Sequence, residues 1–229
     1  MISDREPREP HDPREPHTPR EPHGPAEMDA RRSFFARPAL VVAPELLGAI
    51  ITVSSAEGDV SVRLTEVEAY QGPDDPGSHA FRGVTPRTEV MFGEPAHLYT
   101  YFTYGMHTCA NIVCSPAGQA SGVLLRAGEV VSGTELARAR RATSRADHDL
   151  AQGPARFTVA LGVTLADGGT DVLNSPRLRL ELPSPVLDFS FGPRTGVSGP
   201  GGSEDYPWRF WLPGEPSVSP YRKHSPKKH

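Results

Sequence analysis

The chain has 229 residues, 37% of them hydrophobic, which is enough for one sizeable core, and no apolar run approaches the length of a membrane span. Its 25 prolines and 22 glycines point to many loops, and two cysteines, Cys109 and Cys114, exclude a disulfide framework or a cysteine zinc site. The net charge of −4 argues against a strongly basic nucleic-acid binder, although residues 1–27 carry −3 of it and leave the remainder at −1. The N-terminus is charged and Pro-rich without an apolar signal region, so a reduced, cytoplasmic setting is expected (nucleoid-associated in a bacterium), with no membrane partner.

Residues 1–27 repeat Arg-Glu-Pro-His-x-Pro with a period of six, from Arg8, Arg14 and Arg20. Proline at two positions in six forbids a regular helix or a central strand, and almost nothing apolar is available to bury. A disordered, partly polyproline-like tail is expected. The body begins near Ser33. Ala39 to Leu47 reads as a short helix broken around Pro44, followed by a strand over Ala49 to Val53.

Val60, Val62 and Leu64 alternate with Ser61, Arg63 and Thr65, a half-buried strand that runs on to Glu68. Gly72 to Gly77 is a turn-rich loop leading to His79. Leu98 to Tyr104 and Thr108 to Val113 form two strands joined at Gly105, and Val123 to Ala127 forms another. Gly133 to Thr143 suits a surface helix with a basic face. Gly153-Pro154-Ala155-Arg156 opens a second helix, where Arg156 is either a phosphate contact or part of an ordinary helix start. A strand or two in 171–191, a glycine-rich loop over Gly192 to Gly202 and a closing strand at Trp208 to Trp211 complete the body. The expected fold is α+β: one compact domain with a curved, largely antiparallel sheet, surface helices and a protruding hairpin.

Chemistry concentrates between Leu64 and Arg126. Four of the six tyrosines (Tyr70, Tyr99, Tyr101, Tyr104) fall there, beside Glu68, His79 and Arg126. Such a cluster suits a flat aromatic ligand such as an unpaired nucleobase. Taken alone, Glu68 reads first as a salt-bridged strand glutamate, paired with Arg63 or Arg82, and Glu66 is its rival on the same strand face. Tyr70 and Tyr101 read as strand packing, His79 as an ordinary loop histidine and Asn111 as a satisfied amide. Arg126, after Val123-Leu124-Leu125, is a buried charge in need of partners, which a phosphate beside a flipped nucleotide, the carboxylate or a purely structural ion pair would supply. Tyr104, before the Gly105 turn, is expected to be exposed at a hairpin tip.

Glu68-Ala69-Tyr70, Tyr101, Tyr104-Gly105-Met106, Asn111 and Leu124-Leu125-Arg126 stand in the order and spacing of the alkyladenine (3-methyladenine) DNA glycosylases of the mammalian type. The resemblance runs from about Phe34 to Trp211. It implies a monofunctional base-excision enzyme acting on duplex DNA with damaged bases, as a monomer, with no cofactor and no metal. Alkylated purines are the implied substrates, with hypoxanthine a further candidate. By resemblance Glu68 activates the water, with Arg126 beside it as the second catalytic residue. Tyr70, His79 and Tyr101 surround the flipped base, and Asn111 excludes the guanine amino group. Tyr104 is the intercalating wedge, Met106 flanks it in the minor groove, and Arg156 is a DNA contact. Thr103 and His107 depart from the family pattern at the hairpin.

The implied division is a tail over 1–30, a glycosylase domain over 31–216 and a basic tail over 217–229. Two other readings are a non-catalytic damaged-DNA binder, for which a pocket carboxylate has no use, and a nucleoside hydrolase, for which Tyr104 has none. Deleting residues 1–27 is expected to leave the melting temperature and excision rate unchanged and, by removing an acidic excess, to tighten DNA binding slightly at low salt. A thermal melt and a binding titration at two salt concentrations check this.

Overall fold

The computed structural model describes residues 25–103, 105–184 and 188–224. Most of the N-terminal repeat lies outside the described residues. Helix α1 (Pro25–Phe35) takes in residues that composition alone assigns to the tail. Its Phe35 is buried in the main core, and its Arg32 guanidinium donates to Asp171 at 2.6 Å and to the Pro95 carbonyl at 2.8 Å, so the helix is tied to the body.

Helix α2 (Ala39–Glu45) contains Pro44 without breaking. The missing N–H falls in the last turn, where Leu46 N–H still reaches the Val42 and Ala43 carbonyls. Strands β1 (Ile50–Ser55) and β2 (Gly58–Tyr70) form a hairpin. A one-turn 3-10 helix, Gly72–Asp74, lies within the loop that follows β2, where the sequence suggests only irregular backbone. Strands β3 (Leu98–Thr103), β4 (His107–Cys114) and β5 (Ser121–Ser132) follow as a meander. Helices α3 (Thr134–Arg140) and α4 (Pro154–Leu161) come next, then the short strands β6 (Leu178–Glu181), β7 (Ser190–Gly192) and β8 (Arg209–Trp211).

The eight strands make one open sheet: six run in the order β3-β4-β5-β2-β1-β6, β8 pairs with β2 and β7 with β8, and every pairing among the described residues is antiparallel. The α+β expectation holds. β2 is long enough to divide one edge between two partners: Gly58 to Arg63 pair with β1, and Glu66 to Glu68 pair with β8. On its other edge the register with β5 shifts around Glu66, the irregularity that bends a strand.

The two faces of the sheet do different work. One packs Leu64, Val67, Ala110, Ile112, Val123 and Leu125 against α2 and α4 in the main core. On the other face a smaller cluster, with Met91, Tyr99 and Val113 buried and Tyr101 packed against it, sits under the loops that follow β2. No described helix is long and apolar enough to cross a membrane.

Candidate active site

Glu66 and Glu68 are both fully buried, and Arg126 of β5 meets both, so the two carboxylates share one face of β2 despite the register shift. Their partners separate them. Glu66 Oε1 accepts from Arg126 Nε at 2.7 Å, Arg209 Nε at 2.5 Å and Ser219 Oγ at 3.0 Å, and its Oε2 accepts from Ser219 N–H at 2.7 Å. A carboxylate offers about four lone-pair sites, and those of Glu66 are spent on holding β8 and the C-terminal segment to the sheet. Glu68 Oε1 accepts from Thr195 N–H at 2.7 Å with Arg126 Nη1 3.4 Å away, and Oε2 accepts from the Tyr70 hydroxyl at 2.9 Å. Glu68 therefore keeps acceptor capacity.

Neither Arg63 nor Arg82 is its partner. Arg63 pairs with Glu129 and Glu215 at 2.7 and 2.8 Å, and the charge beside Glu68 is Arg126. Burial pulls the Arg126 pKa down, but Glu68 and Glu66 outweigh it and the net shift is upward, so the guanidinium stays charged. Burial, then the Glu68 charge, holds the Tyr70 phenol well above its ordinary value, which keeps it a donor. Next to Glu68, Thr195 Oγ1 is the buried side-chain oxygen or nitrogen that finds no hydrogen-bond partner among the described residues.

The aromatic group lies alongside on the same face. The rows Tyr99–Asn111, Asn111–Leu124 and Leu124–Glu68 are cross-strand partners over β3, β4, β5 and β2, so the carboxylate and the tyrosines are joined by rigid sheet. Tyr99 and Tyr101 stack with centroids 5.6 Å apart, and His79 stands edge-on to Tyr101 at 4.5 Å. Asn111 is buried, with its Nδ2 donating to the Tyr99 carbonyl at 3.4 Å.

His79 Nδ1 lies 3.1 Å from the Tyr99 hydroxyl, and Arg87 Nη2 lies 3.5 Å from His79 Nε2. A guanidinium only donates, so Nε2 accepts and Nδ1 carries the proton. Partial burial, then the Arg87 charge, lowers the His79 pKa to about 4, although the residue is still exposed. A folded-state value below the unfolded one means that His79 supports the fold fully above about pH 6.5 and withdraws that support as pH falls toward 4. Arg87→Gln is expected to raise this pKa, read from the His79 ring proton in an NMR titration; an unmoved midpoint would remove the Arg87 charge as a cause.

Of the remaining sequence-derived candidates, Met106 and Arg156 lie outside this cluster. Met106 is 67% exposed in the β3–β4 turn, with Phe102 also exposed, and Gly105 takes a φ of +68°. Tyr104 lies outside the described residues. Arg156 is exposed in the first turn of α4, on the opposite face of the sheet from the carboxylates. Its charge acts on Arg141 and Asp149, in the segment between α3 and α4, and the Thr158 hydroxyl of the same helix donates to the Thr108 carbonyl at 2.8 Å.

Several participants escaped sequence reasoning: Arg194 and Thr195 in the glycine-rich loop, Asp75 in the turn after β2, Arg87, and Arg209. Only Arg209 carried a signal, as a charge set between Trp208 and Phe210 in an otherwise apolar strand.

The family model for methylpurine-DNA glycosylase (MPG) matches residues 33–216. A protein of Leifsonia xyli subsp. xyli named "Putative 3-methyladenine DNA glycosylase" is 59% identical over 196 residues, covering 83% of this chain and 91% of its own. Proteins of the same name from Streptomyces avermitilis (54% over 196 residues, 84% and 91% covered) and Cutibacterium acnes (50% over 189 residues, 80% and 95% covered) are similar throughout. A buried carboxylate beside an aromatic cluster, on a sheet that this family matches nearly from end to end, makes the chain a member of the methylpurine-DNA glycosylase family and a DNA glycosylase.

Proposed function

We propose that the protein flips an alkylated purine out of duplex DNA into the cluster of Tyr70, His79 and Tyr101 and hydrolyses its N-glycosidic bond with a water activated by Glu68. The observation that carries this reading is the division of labour on β2. Glu66 is saturated by Arg126, Arg209 and Ser219, whereas Glu68 keeps acceptor capacity beside the tyrosines and the unpartnered Thr195 hydroxyl.

In the reaction the C1′–N bond breaks with its electron pair leaving on the base, and the sugar takes on oxocarbenium character. Glu68 stabilises that charge and accepts the proton of the water whose oxygen attacks C1′. Arg126, bridging Glu66 and Glu68, keeps the carboxylate in place. Alkylation at a purine ring nitrogen leaves many of these bases cationic. Aromatic faces then favour them by about 0.5–2 kcal/mol over a neutral base. A neutral His79 adds no positive charge of its own against such a base. Asn111, buried on the same face with its Nδ2 donating to the Tyr99 carbonyl at 3.4 Å, is assigned as the residue that rejects the guanine amino group.

The test is incubation with duplex oligonucleotides carrying 3-methyladenine, 7-methylguanine or hypoxanthine, then hot alkali to reveal abasic sites. Strand breaks at the alkylated positions support the reading, and intact strands with tight binding would make the protein a binder. Tyr104, adjacent in sequence to the exposed turn residues Gly105 and Met106, is assigned as the wedge. Tyr104→Ser is expected to lower excision from paired lesions by roughly ten- to a hundred-fold, from about 1–3 kcal/mol of lost stacking. The loss should shrink opposite a mismatch, where less unstacking remains. An equal loss on paired and mispaired lesions would remove the wedge role.

A further inference from the structure

We propose that the buried ion pair Asp75–Arg194 is a positioning element of the reaction, holding Glu68 and Tyr70 in their working geometry without touching base or water. The inference rests on the reading of Glu68 given above.

Two loops that the sheet does not itself fix meet behind the site. One leaves β2 directly after Tyr70 and carries Asp75 and His79. The other, between β7 and β8, carries Arg194 and Thr195. Asp75 Oδ2 and Oδ1 accept from Arg194 Nη1 and Nη2 at 2.5 and 2.6 Å, with both side chains wholly buried. The Asp75 carboxylate also accepts from Gln71 N–H at 3.2 Å and Gly77 N–H at 2.8 Å, which fixes the first loop. Arg194 donates to the Gly201 carbonyl at 2.7 Å, which fixes the second.

The same guanidinium reaches the chemistry from two sides. Nη1 donates to the carbonyl of Ala69 at 3.0 Å, the residue between Glu68 and Tyr70, and the Arg194 Cζ lies 4.4 Å from the centre of the Tyr70 ring. The next residue supplies the Thr195 N–H that holds Glu68 Oε1. One charged fork thus sets the backbone at Ala69, the tyrosine ring and the amide donor of the carboxylate.

The cradle is built closely around it. A Cβ on Gly77 would fall 2.5 Å from Arg194 Nη2, and one on Gly201 would fall 2.4 Å from Gly77 N. A buried ion pair is seldom the best way to gain stability, because well-packed apolar groups of equal volume do as well or better. Fixing the relative position of two loops is a use that apolar packing serves poorly, since a bidentate Arg–carboxylate pair has a defined geometry.

The experiment uses the full chain with Arg194→Lys, Asp75→Asn and Gly77→Ala. Lysine keeps the charge but loses the planar fork. Asparagine keeps the shape of Asp75, and alanine at position 77 crowds the guanidinium while leaving both partners present. Single-turnover excision at saturating protein, lesion-DNA affinity and a thermal melt are measured together. In folded Arg194→Lys and Asp75→Asn the excision rate is expected to fall by about 10²-fold, the cost of displacing a catalytic group by about 1 Å. Affinity should fall by a clearly smaller factor than the rate, because Tyr70 is one of three rings around the base whereas Glu68 acts in the reacting state alone. Gly77→Ala should show the same split to a smaller extent, and it carries the comparison if either ion-pair variant fails to fold.

Folded variants that excise at the wild-type rate, or that lose rate and affinity by the same factor, would overturn the proposal. Glu68→Gln is run beside them. If it excises normally, the reading of the site has failed. If it is inert while the ion-pair variants keep full rate, only the positioning role has.

Discussion

Glu68→Gln is expected to retain lesion-DNA binding and to lose excision by about 10²- to 10⁴-fold, the usual contribution of a positioned general base. The substitution is close to isosteric, and its amide oxygen can still accept from Thr195 N–H, the 2.7 Å contact of the native carboxylate. What disappears is the ability to take a proton from water and the negative charge facing an oxocarbenium-like sugar. Pocket shape and the tyrosine stack remain, so affinity for a lesion duplex should be close to that of the native protein. Single-turnover excision beside a binding titration separates the two quantities. A near-native rate in the variant would exclude Glu68 as the base.

Glu66→Gln, two residues earlier on the same strand, is expected to do the reverse. Glu66 is the shared partner of Arg126, Arg209 and Ser219, all buried. Neutralising it leaves two guanidinium groups with too little negative charge in a dry interior. Breaking a buried pair by removing one member costs about 3–5 kcal/mol. In a domain of this size that corresponds to a fall in melting temperature on the order of 10 °C. Excision by the fraction that remains folded should be affected less than in Glu68→Gln. A variant that melts normally but does not excise would exchange the roles of the two glutamates.

The contrast between these glutamates shows where local pattern stops being informative. The strand over Val60 to Glu68 is legible because a half-buried strand must alternate, and the hairpin is legible because Gly105 interrupts two apolar runs. The same period puts Glu66 and Glu68 on one face, and both are acids in the same local context. What distinguishes them comes from far away in sequence: Ser219, 153 residues from Glu66, and Thr195, 127 residues from Glu68. Helix α1 shows a related limit, because its opening residues continue a proline-rich, charged stretch, while its attachment comes from Phe35 in the core and from Arg32 on Asp171 and the Pro95 carbonyl.

By itself the sequence determined the α+β class, the positions of the central strands along the chain, the aromatic-rich window from Tyr70 to Tyr104 and, through residues in register with a known family, the kind of reaction. All but the last follow from periodicity, turn residues and composition, which act over a few positions along the chain. Only the tertiary structure decided which carboxylate is saturated and which keeps acceptor capacity. It also decided that Arg126 bridges both, that His79 is held neutral by burial and Arg87, and that Asp75 and Arg194, 119 residues apart, close the two loops behind the site. The physical reason is that a buried charge must find its partners wherever folding brings them, and that choice is made by the packing of distant segments, not by the residues on either side.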